Sequence, residues 1–352
     1  MNESLYVIWW KFGHYHKGIE GDTWYPNPVK CHQTTMLSEI FPEPEWIYIR
    51  DFSELPKDTG AIVIVSGGAF LTIPQHNWVI DAIPMLQAHI MALPWVVIVC
   101  CYDSESAFQV DQLKHDNMKI WIQEPKPGPG VALEGRIPAI GMLNHHCYRH
   151  IPVGHTRSAI EFLPGFQREI EEKPWAWFFA GRVNDEGRLA WTDAIRALPG
   201  ASGAILVKDG RGTFCPQIRH ADNSMTSILT TREYMRGFAL AKVIPCRPAP
   251  CTPETARIYD ALEAGCVPIV PCVAGNEGWN IRYDYREYWT YVFGEQPPFP
   301  VISGPEELAG AMKETLDNWP ERSKIVSSWW TNYKIRLAAE LRQEVETLEN
   351  LQ

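Results

Sequence analysis

The chain has 352 residues, of which 45% are hydrophobic and 21% are charged, and its formal net charge at pH 7 is −10. This composition indicates a folded protein and excludes a disordered or fibrous chain. The acidic balance argues against a protein that coats nucleic acid or an anionic membrane, because such binding depends on Lys and Arg neutralising phosphate groups.

The first half of the chain predicts an α/β domain. Apolar runs typical of strands are LYVIWW at 5–10, AIVIVSG at 61–67, WVVIVCCYD at 95–103 and MKIWIQ at 118–123. A helix-capable stretch lies at 73–93, and this alternation is typical of a parallel sheet covered on both faces. Pro and Gly at 124–138 break the pattern, so we expect a domain boundary beyond that stretch, at residue 155.

The second half repeats the alternation and predicts a second α/β domain, at 156–320. Its strand-like runs are WAWFFAG at 175–181, GAILVKDG at 203–210, KVIPCRP at 242–248 and CVPIVP at 266–271. Its helix-like runs lie at 185–198, 230–241 and 252–265. A single long helix is predicted for the segment 321–352, which we expect to pack across both domains. Its apolar residues fall on one helical stripe formed by Val326, Trp330, Tyr333, Leu337, Leu341, Val345 and Leu348.

The sequence contains little that is typical of a membrane-spanning segment or a metal site. No apolar run approaches the roughly 20 residues that span a bilayer. The apolar run in the start MNESLYVIWWKFGHYH is too short for a signal peptide, because polar residues follow it at once. We therefore expect a cytoplasmic protein without a membrane span. The nine cysteines contain no CxxC pair and fit reduced thiols. The metal-like cluster HHCYRH at 145–150 lacks a second ligand pair, so no metal site is predicted.

The helix at 252–265 has clear predicted ends. Thr252 before Pro253 is a typical N-cap with proline at the first helical position, and Gly265 is a typical stop. Because the helix follows the strand run at 242–248, its N-terminus is expected to face the crevice at the carboxyl edge of the sheet, where anions bind.

Two charged residues stand one turn apart in this otherwise apolar helix. The planar fork of Arg257 could hold a diphosphate, and Asp260 could accept hydrogen bonds from ribose hydroxyls. The alternative is an i, i+3 ion pair on the surface, which would contribute roughly 0.2–0.5 kcal/mol. Spacing alone does not decide between these two interpretations.

The stretch YMRGFALAKVIPCRPAPCTPETARIYDALEAGCVPIVP, at 234–271, resembles the C-terminal part of the exostosin family of glycosyltransferases. In that family a strand ending in a Cys-Pro-Arg-like turn leads to a helix with an Arg-Leu-Phe-Glu-Ala-Leu core and then Gly-Cys-x-Pro-Val. FFAGR at 178–182 is similar to the family's Phe-Phe-x-Gly strand end with a basic residue following. The resemblance covers roughly 175–320, and the N-terminal half carries no such signature.

The resemblance implies a GT-B architecture of two facing Rossmann-like domains, with a nucleotide-sugar donor bound mainly by the C-terminal one. Arg182, Arg247 and Arg257 would surround the diphosphate, and Asp260 stands where the family usually has Glu. The whole predicted donor-binding set is Gly181, Arg182, Lys208, Arg247, Thr252, Glu254, Thr255, Arg257 and Asp260. A departure is that Thr255-Ala256 replaces a Ser pair that the family often has before the Arg.

These residues predict a glycosyltransferase that moves a sugar to an acceptor hydroxyl with inversion and without an essential metal or other cofactor. Arginines and a helix N-terminus could stabilise the departing diphosphate, and the sequence has no Asp-x-Asp triplet of the kind that carries Mn²⁺ in the other major glycosyltransferase architecture. The expected base lies in the N-terminal domain. Asp103, at the end of a strand run, is favoured, followed by His16 and His14.

Two other functions stay open. A nicotinamide-dependent oxidoreductase would need GxGxxG after the first strand, but that run continues into KFGHYHKG. A non-catalytic nucleotide or sugar binder of the same fold would share the donor site without the reaction. The expected acceptor is a carbohydrate, while protein, glycolipid and modified nucleic acid are also compatible with the sequence.

Overall fold

The structure is a computed structural model that describes residues 6–10, 32–41, 46–47, 59–66, 86–101, 113–123, 148–169, 172–180, 189–198, 205–208, 214–217, 229–248, 252–274, 283–284 and 287–351. The chain forms two compact units. Unit 1 comprises Met1–Val153 with Ile335–Gln352, and unit 2 comprises Gly154–Lys334.

Unit 1 contains a parallel six-stranded sheet. Its strands are β1 (Tyr6–Trp10), β2 (Trp46–Ile47), β3 (Ala61–Ser66), β4 (Val96–Cys101), β5 (Met118–Ile122) and β6 (Tyr148–His150). The spatial order is β2-β1-β3-β4-β5-β6, and every neighbouring pair is parallel. The apolar residues 96–99 of β4 are fully buried, as a sheet covered on both faces requires. The four strands predicted in this half are confirmed.

Unit 1 also contains described helical residues before its last helix. Helix α1 spans His32–Ile40. Residues 86–90 are helical, within the predicted stretch 73–93, and the rest of that stretch lies outside the described residues. In the sheet of unit 1, the order of the strands reverses between β1 and β3.

Unit 2 contains two short sheets that share one chain segment. Its strands are β7 (Trp175–Trp177), β8 (Phe179–Ala180), β9 (Ile205–Lys208), β10 (Phe214–Gln217), β11 (Ala241–Pro245), β12 (Val267–Pro271), β13 (Val273–Ala274), β14 (Tyr283–Asp284) and β15 (Val301–Ile302). One sheet has the parallel order β15-β12-β11-β7, and the other has the order β10-β9-β8 with only β10 antiparallel. The strands β13 and β14 form a separate antiparallel pair.

Only Phe178 separates β7 from β8, and its N–H donates to the carbonyl oxygen of Val243 at 3.2 Å. Across this joint the strands run in the order β10-β9-β8/β7-β11-β12-β15. Numbered along the chain, this is the 3-2-1-4-5-6 order of doubly wound sheets, which reverses between the first and fourth strands. The prediction of an α/β fold with parallel sheets is therefore confirmed.

The helices of unit 2 are α2 (Arg157–Glu169), α3 (Leu189–Arg196), α4 (Thr231–Leu240), α5 (Ala256–Glu263), α6 (Tyr288–Phe293) and α7 (Leu308–Asp317). Helix α4 begins with a capping box in which Thr230 and Glu233 satisfy each other's backbone N–H groups. At its other end, Lys173 Nζ donates to the carbonyl oxygens of Phe238 at 2.9 Å and Ala239 at 3.1 Å. A cation at this end also matches the helix dipole.

Helix α8 spans Trp319–Glu349, and all seven residues of its predicted apolar stripe are buried. Its first part belongs to unit 2 and its last part to unit 1. In unit 2, Trp329 packs on Phe293 and Phe299 within a cluster of aromatic rings. In unit 1, Glu344 accepts hydrogen bonds from Trp121 Nε1 at 2.8 Å and Arg149 Nε at 2.7 Å. Across the described ranges, no helix combines the length and the apolar character needed to cross a membrane.

Candidate functional site

The candidate site lies at the carboxyl ends of β8 and β11, where the strand order of unit 2 reverses. Strand β8 ends at Ala180, and Arg247 follows β11 by two residues. Chain segments that leave neighbouring strands at such a reversal diverge to opposite faces of the sheet, and the crevice between them is where doubly wound folds bind ligands.

Two arginines meet on one aromatic ring at this point. The guanidinium carbon of Arg257 lies 4.5 Å from the ring centroid of Phe179, and that of Arg247 lies 5.6 Å from the same centroid. Both distances fall within the range of a cation–π contact. The Phe179 ring is fully buried and the Arg247 side chain is 4% exposed. The structure thus brings together two residues that the sequence predicted as diphosphate ligands.

Arg257 lies against residues of two other elements of unit 2, β8 and α4. Its Nη2 donates to the carbonyl oxygen of Ala180, the last residue of β8. The buried phenol of Tyr234, on α4, lies beside Arg257; burial raises the pKa of Tyr234, and the charge of Arg257 works in the opposite direction. Within the described part of the chain, Arg257 Nε is buried without a hydrogen-bond partner. The guanidinium therefore keeps one donor that no described protein group uses.

A buried thiol lies beside the arginine. Burial raises the pKa of Cys246 to about 12, although the nearby positive charge of Arg257 opposes the shift. A thiol with this pKa is protonated and neutral near pH 7, so Cys246 contributes bulk to the wall of the site and no negative charge.

Helix α5 begins later than predicted. It starts at Ala256 with Thr255 as its N-cap, so the prediction of Thr252 as N-cap is wrong. The Thr252 hydroxyl donates to the carbonyl oxygen of Glu254 at 3.5 Å, and the buried Glu254 carboxylate accepts hydrogen bonds from Tyr259 and Tyr288. These tertiary contacts hold 252–255 outside the helix, because a buried carboxylate that lost its partners would be costly.

The side-chain hydroxyl of the N-cap residue Thr255 forms no hydrogen bond with any described group. Thr255 has extended backbone angles, and its side chain makes no capping hydrogen bond. Its Oγ1 is buried and has no partner among the groups that the structure describes. This hydroxyl stands two residues before Arg257 at the helix N-terminus, where N–H groups and the helix dipole favour an anion.

The end of α5 agrees with the sequence. Gly265 has φ of 67° and follows the C-cap Ala264, so the predicted stop is confirmed. Cys266 N–H donates to the carbonyl oxygen of Ala261 at 2.9 Å, and Gly265 N–H donates to that of Leu262 at 3.1 Å. This pair of bonds closes the helix and starts β12.

Asp260 lies in the core of unit 2, with 1% of its surface exposed. Its Oδ1 accepts hydrogen bonds from the N–H of Thr156 at 2.8 Å and from the hydroxyl of Thr156 at 2.9 Å, just before α2. Burial raises the pKa of Asp260 to about 6, while the Thr156 bonds and the nearby His155 and Arg257 oppose the rise. A surface ion pair between Arg257 and Asp260 is therefore wrong, and contact between Asp260 and a ribose stays a prediction.

The outer end of α5 is anchored through Glu263. Its Oε1 accepts hydrogen bonds from Trp330 Nε1 at 2.8 Å and Lys334 Nζ at 2.5 Å, both on α8. His155 Nδ1 lies 3.3 Å from the same oxygen. These contacts fix α5 against α8 and leave the Arg257 end to face the strand ends.

Several predicted residues fall outside the described residues. These are the base candidates His14, His16 and Asp103, and the donor-site residues Gly181 and Arg182, which follow Ala180 directly. Lys208 ends β9, whose register places Leu206 beside Ala180, so its backbone is at the same edge of the sheet. Of the cluster at 145–150, only Tyr148–His150 is described, as β6.

Two residues of the site, Phe179 and Tyr234, were not predicted from the sequence. Phe179 was part of the FFAGR motif, but nothing in the motif indicated that its ring would carry two guanidinium groups. Tyr234 opens the stretch used for the family resemblance and was given no role. Both contacts join segments far apart in the chain, which a single sequence does not connect.

The described part of the structure contains no cluster of three or more His, Cys, Asp or Glu side chains that could hold a metal ion. The metal-independent reaction stays a prediction, because the segments next to the site are outside the described residues.

No protein-family model and no curated protein sequence matches the chain. Among solved structures, the chain is similar to HepE from Anabaena in complex with UDP, with UDP and glucose, and with UDP-glucose, with TM-scores of 0.44, 0.45 and 0.48. In each case the identity is 9%, and the alignment covers 98% of this chain and 100% of that chain. Likenesses this distant carry no functional argument.

Proposed function

We propose that the chain is a glycosyltransferase that binds a nucleotide-sugar donor at the carboxyl edge of the unit 2 sheet and transfers its sugar to an acceptor hydroxyl. The observation that carries the proposal is the pair of arginines, Arg247 and Arg257, stacked on the Phe179 ring where the strand order reverses. The exostosin-like motifs at 178–182 and 234–271 support the same site.

Electrostatics favours an anionic ligand with more than one charge. Two guanidinium groups that lie 4.5 and 5.6 Å from one ring centroid concentrate positive charge beside that ring. A diphosphate would neutralise both charges and accept hydrogen bonds from their planar forks. Arg257 Nε and Thr255 Oγ1, which have no partner among the described groups, are donors that such a ligand could use.

The same groups suit the chemistry of glycosyl transfer. As the acceptor oxygen attacks the anomeric carbon, the bond from that carbon to the phosphate oxygen breaks, and negative charge grows on the departing nucleoside diphosphate. Arg247, Arg257 and the N-terminus of α5 would stabilise this charge in place of a metal. The acceptor proton passes to a base, for which Asp103, His16 and His14 stay the proposed candidates.

The remaining assignments complete the proposal. Gly181, Arg182 and Lys208 would extend the donor site, since each follows or ends a strand at the same edge. Thr252 and Glu254 would support it through the segment that leads into α5. The acceptor would be bound by the domain at 1–155 of a GT-B enzyme, and a cytoplasmic location would supply the nucleotide sugars.

A thermal-shift screen tests the proposal. UDP, GDP, ADP and CDP should be compared with their nucleosides, since a ligand that binds only the folded state raises its stability as ln(1 + [L]/Kd). At least one diphosphate should raise Tm more than its nucleoside does, and the matching nucleotide sugar should be hydrolysed or transferred. Binding without any turnover would indicate a non-catalytic binder instead, and no binding at all would contradict the donor site.

A further inference from the structure

We propose that Phe179 is a positioning residue for the diphosphate site, which holds the guanidinium groups of Arg247 and Arg257 in place before the donor binds. This inference rests on the proposed function. It assigns to a fully buried phenylalanine a role in ligand binding beyond that of filling the core.

The ring is itself fixed firmly. Phe179 lies in β8, paired with Ile205 of β9, and belongs to a hydrophobic core cluster of unit 2 together with Trp177 and Trp191. Its exposed fraction is 0%. A ring held by a close-packed core does not shift when a ligand binds. It therefore offers the guanidinium groups of Arg247 and Arg257 a fixed contact surface.

A contact with an aromatic ring positions a guanidinium group without using its hydrogen-bond donors. A guanidinium that lies over a ring uses its flat face, while its N–H donors point outward in its own plane and stay available to phosphate oxygens. The donors of Arg257 are not used up by the ring contact: Nη2 donates to the Ala180 carbonyl, and Nε has no partner among the described groups.

The advantage for binding is preorganisation. Arginine side chains have many rotamers, and a site that must order them when the ligand arrives binds more weakly than one that has ordered them already. Because one ring contacts both arginines, loss of the ring would remove one positioning contact from each of them. A purely structural phenylalanine would affect the folding of the protein and leave the ligand preference unchanged.

The experiment compares Phe179→Leu and Phe179→Met, which keep an apolar side chain but remove the ring, with Phe179→Tyr, which keeps the ring face. Phe299→Leu is the matched control, since Phe299 is a buried ring of unit 2 that packs on Trp289, Phe293 and Trp329. Isothermal titration measures the Kd for UDP, GDP, ADP and CDP and for their nucleosides. Denaturation of each variant identifies any that has not folded.

We expect the Leu and Met variants to bind the preferred diphosphate roughly tenfold more weakly, in line with the loss of one or two cation–π contacts. Nucleoside affinity should change little, and the Tyr and Phe299→Leu variants should bind like the parent. In combination with Arg257→Ala, the Phe179→Leu change should weaken binding by less than it does alone, because the partner of the ring is already gone.

Three results would overturn the inference. One is a folded Leu or Met variant that binds the diphosphate as tightly as the parent while the parent binds normally, which would leave the proposed function standing. Another is an equal loss of nucleoside and diphosphate affinity, which would mark a structural role. The third is a parent that binds none of the diphosphates, which would remove the proposed function together with the inference.

Discussion

Asp260 and Thr156 are joined by two hydrogen bonds to a single carboxylate oxygen, from the backbone N–H at 2.8 Å and from the hydroxyl at 2.9 Å. The pair ties the middle of α5 to the residue before α2, across 104 positions of sequence. The arrangement accounts for an acidic residue in an apolar helix: Asp260 serves as an acceptor for the start of another helix.

This contact predicts a pH dependence of stability. Burial raises the pKa of Asp260 in the folded protein to about 6 from its ordinary value of 3.8. The folded protein therefore holds the proton more tightly than the unfolded chain, and the stability that Asp260 contributes is lost as pH rises from about 4 through about 6. The shift corresponds to about 3 kcal/mol in the free energy of unfolding.

Asp260→Asn should remove that dependence, because an amide cannot ionise and its oxygen can still accept from Thr156. Urea denaturation at pH 4 and pH 7 measures the difference in free energy of unfolding between variant and parent. We expect the variant to gain on the parent as pH rises. A difference that stays constant between the two pH values would show that Asp260 does not titrate in this range.

Arg257→Ala should weaken binding of a nucleoside diphosphate by about 1.5–3 kcal/mol, the range for a hydrogen bond to a charged group. Arg257→Lys should recover little, since an ammonium keeps the charge but not the planar fork. Calorimetric Kd values test this. Arg196→Ala is the matched control, because Arg196 is an exposed cation of α3 paired with Asp193. Unchanged affinity in Arg257→Ala would contradict its role at the phosphate.

Thr255→Val should mainly weaken diphosphate binding, whereas Thr156→Val should mainly lower the free energy of unfolding. The Thr255 hydroxyl has no partner within the described part of the protein, so its removal should change the free energy of unfolding by less than about 0.5 kcal/mol. Diphosphate binding should weaken by about 0.5–1.5 kcal/mol. Thr156→Val removes a donor to Asp260 and should mainly destabilise the fold. The reverse pattern would place the ligand elsewhere.

Glu254→Gln should destabilise unit 2 by about 1–3 kcal/mol. The two carboxylate oxygens accept from Tyr259 and Tyr288, and an amide can accept from only one of these hydroxyls. Denaturant unfolding of the variant beside Tyr288→Phe measures the loss. The Phe variant should also be destabilised, since it takes this donor away from a buried carboxylate oxygen. Equal stability of Glu254→Gln and parent would mean that the carboxylate does not anchor this segment.

Transfer should survive EDTA, because the proposed site stabilises the leaving diphosphate with arginines and a helix N-terminus. The assay is turnover of the nucleotide sugar selected by the binding screen, with and without chelator. Activity that vanishes with EDTA and returns with Mn²⁺ or Mg²⁺ would overturn the metal-free reaction.

The strands were the most predictable part of the fold. A strand buried on both faces must be a continuous apolar run, and β3, β4 and β12 are such runs in the sequence. The stripe of α8 was equally clear, because its period is that of a helix. Helix α2 was missed: it carries Pro164 inside, a residue that normally argues against a helix.

The candidate site was predictable in its residue types and less so in its contacts. Arg247 and Arg257 follow from the motif, and the structure brings them together. The start of α5 was misplaced because Thr252 and Pro253 are strong local signals, whereas the pairing of Glu254 with Tyr288 is a contact across 34 positions. The partner of Asp260 is more distant still, so no local pattern could reveal it.

The split membership of α8 has a consequence for how the chain is made. The strands of unit 1 leave the ribosome first, but residues 335–349, which supply Glu344 to Trp121 and Arg149, are made only after all of unit 2. Domains ordinarily fold in the order of their synthesis. Here the whole sequence of unit 2 is synthesised before that of unit 1 is complete. Unit 2 can therefore finish folding first, although the N-terminal sheet of unit 1 is synthesised earlier.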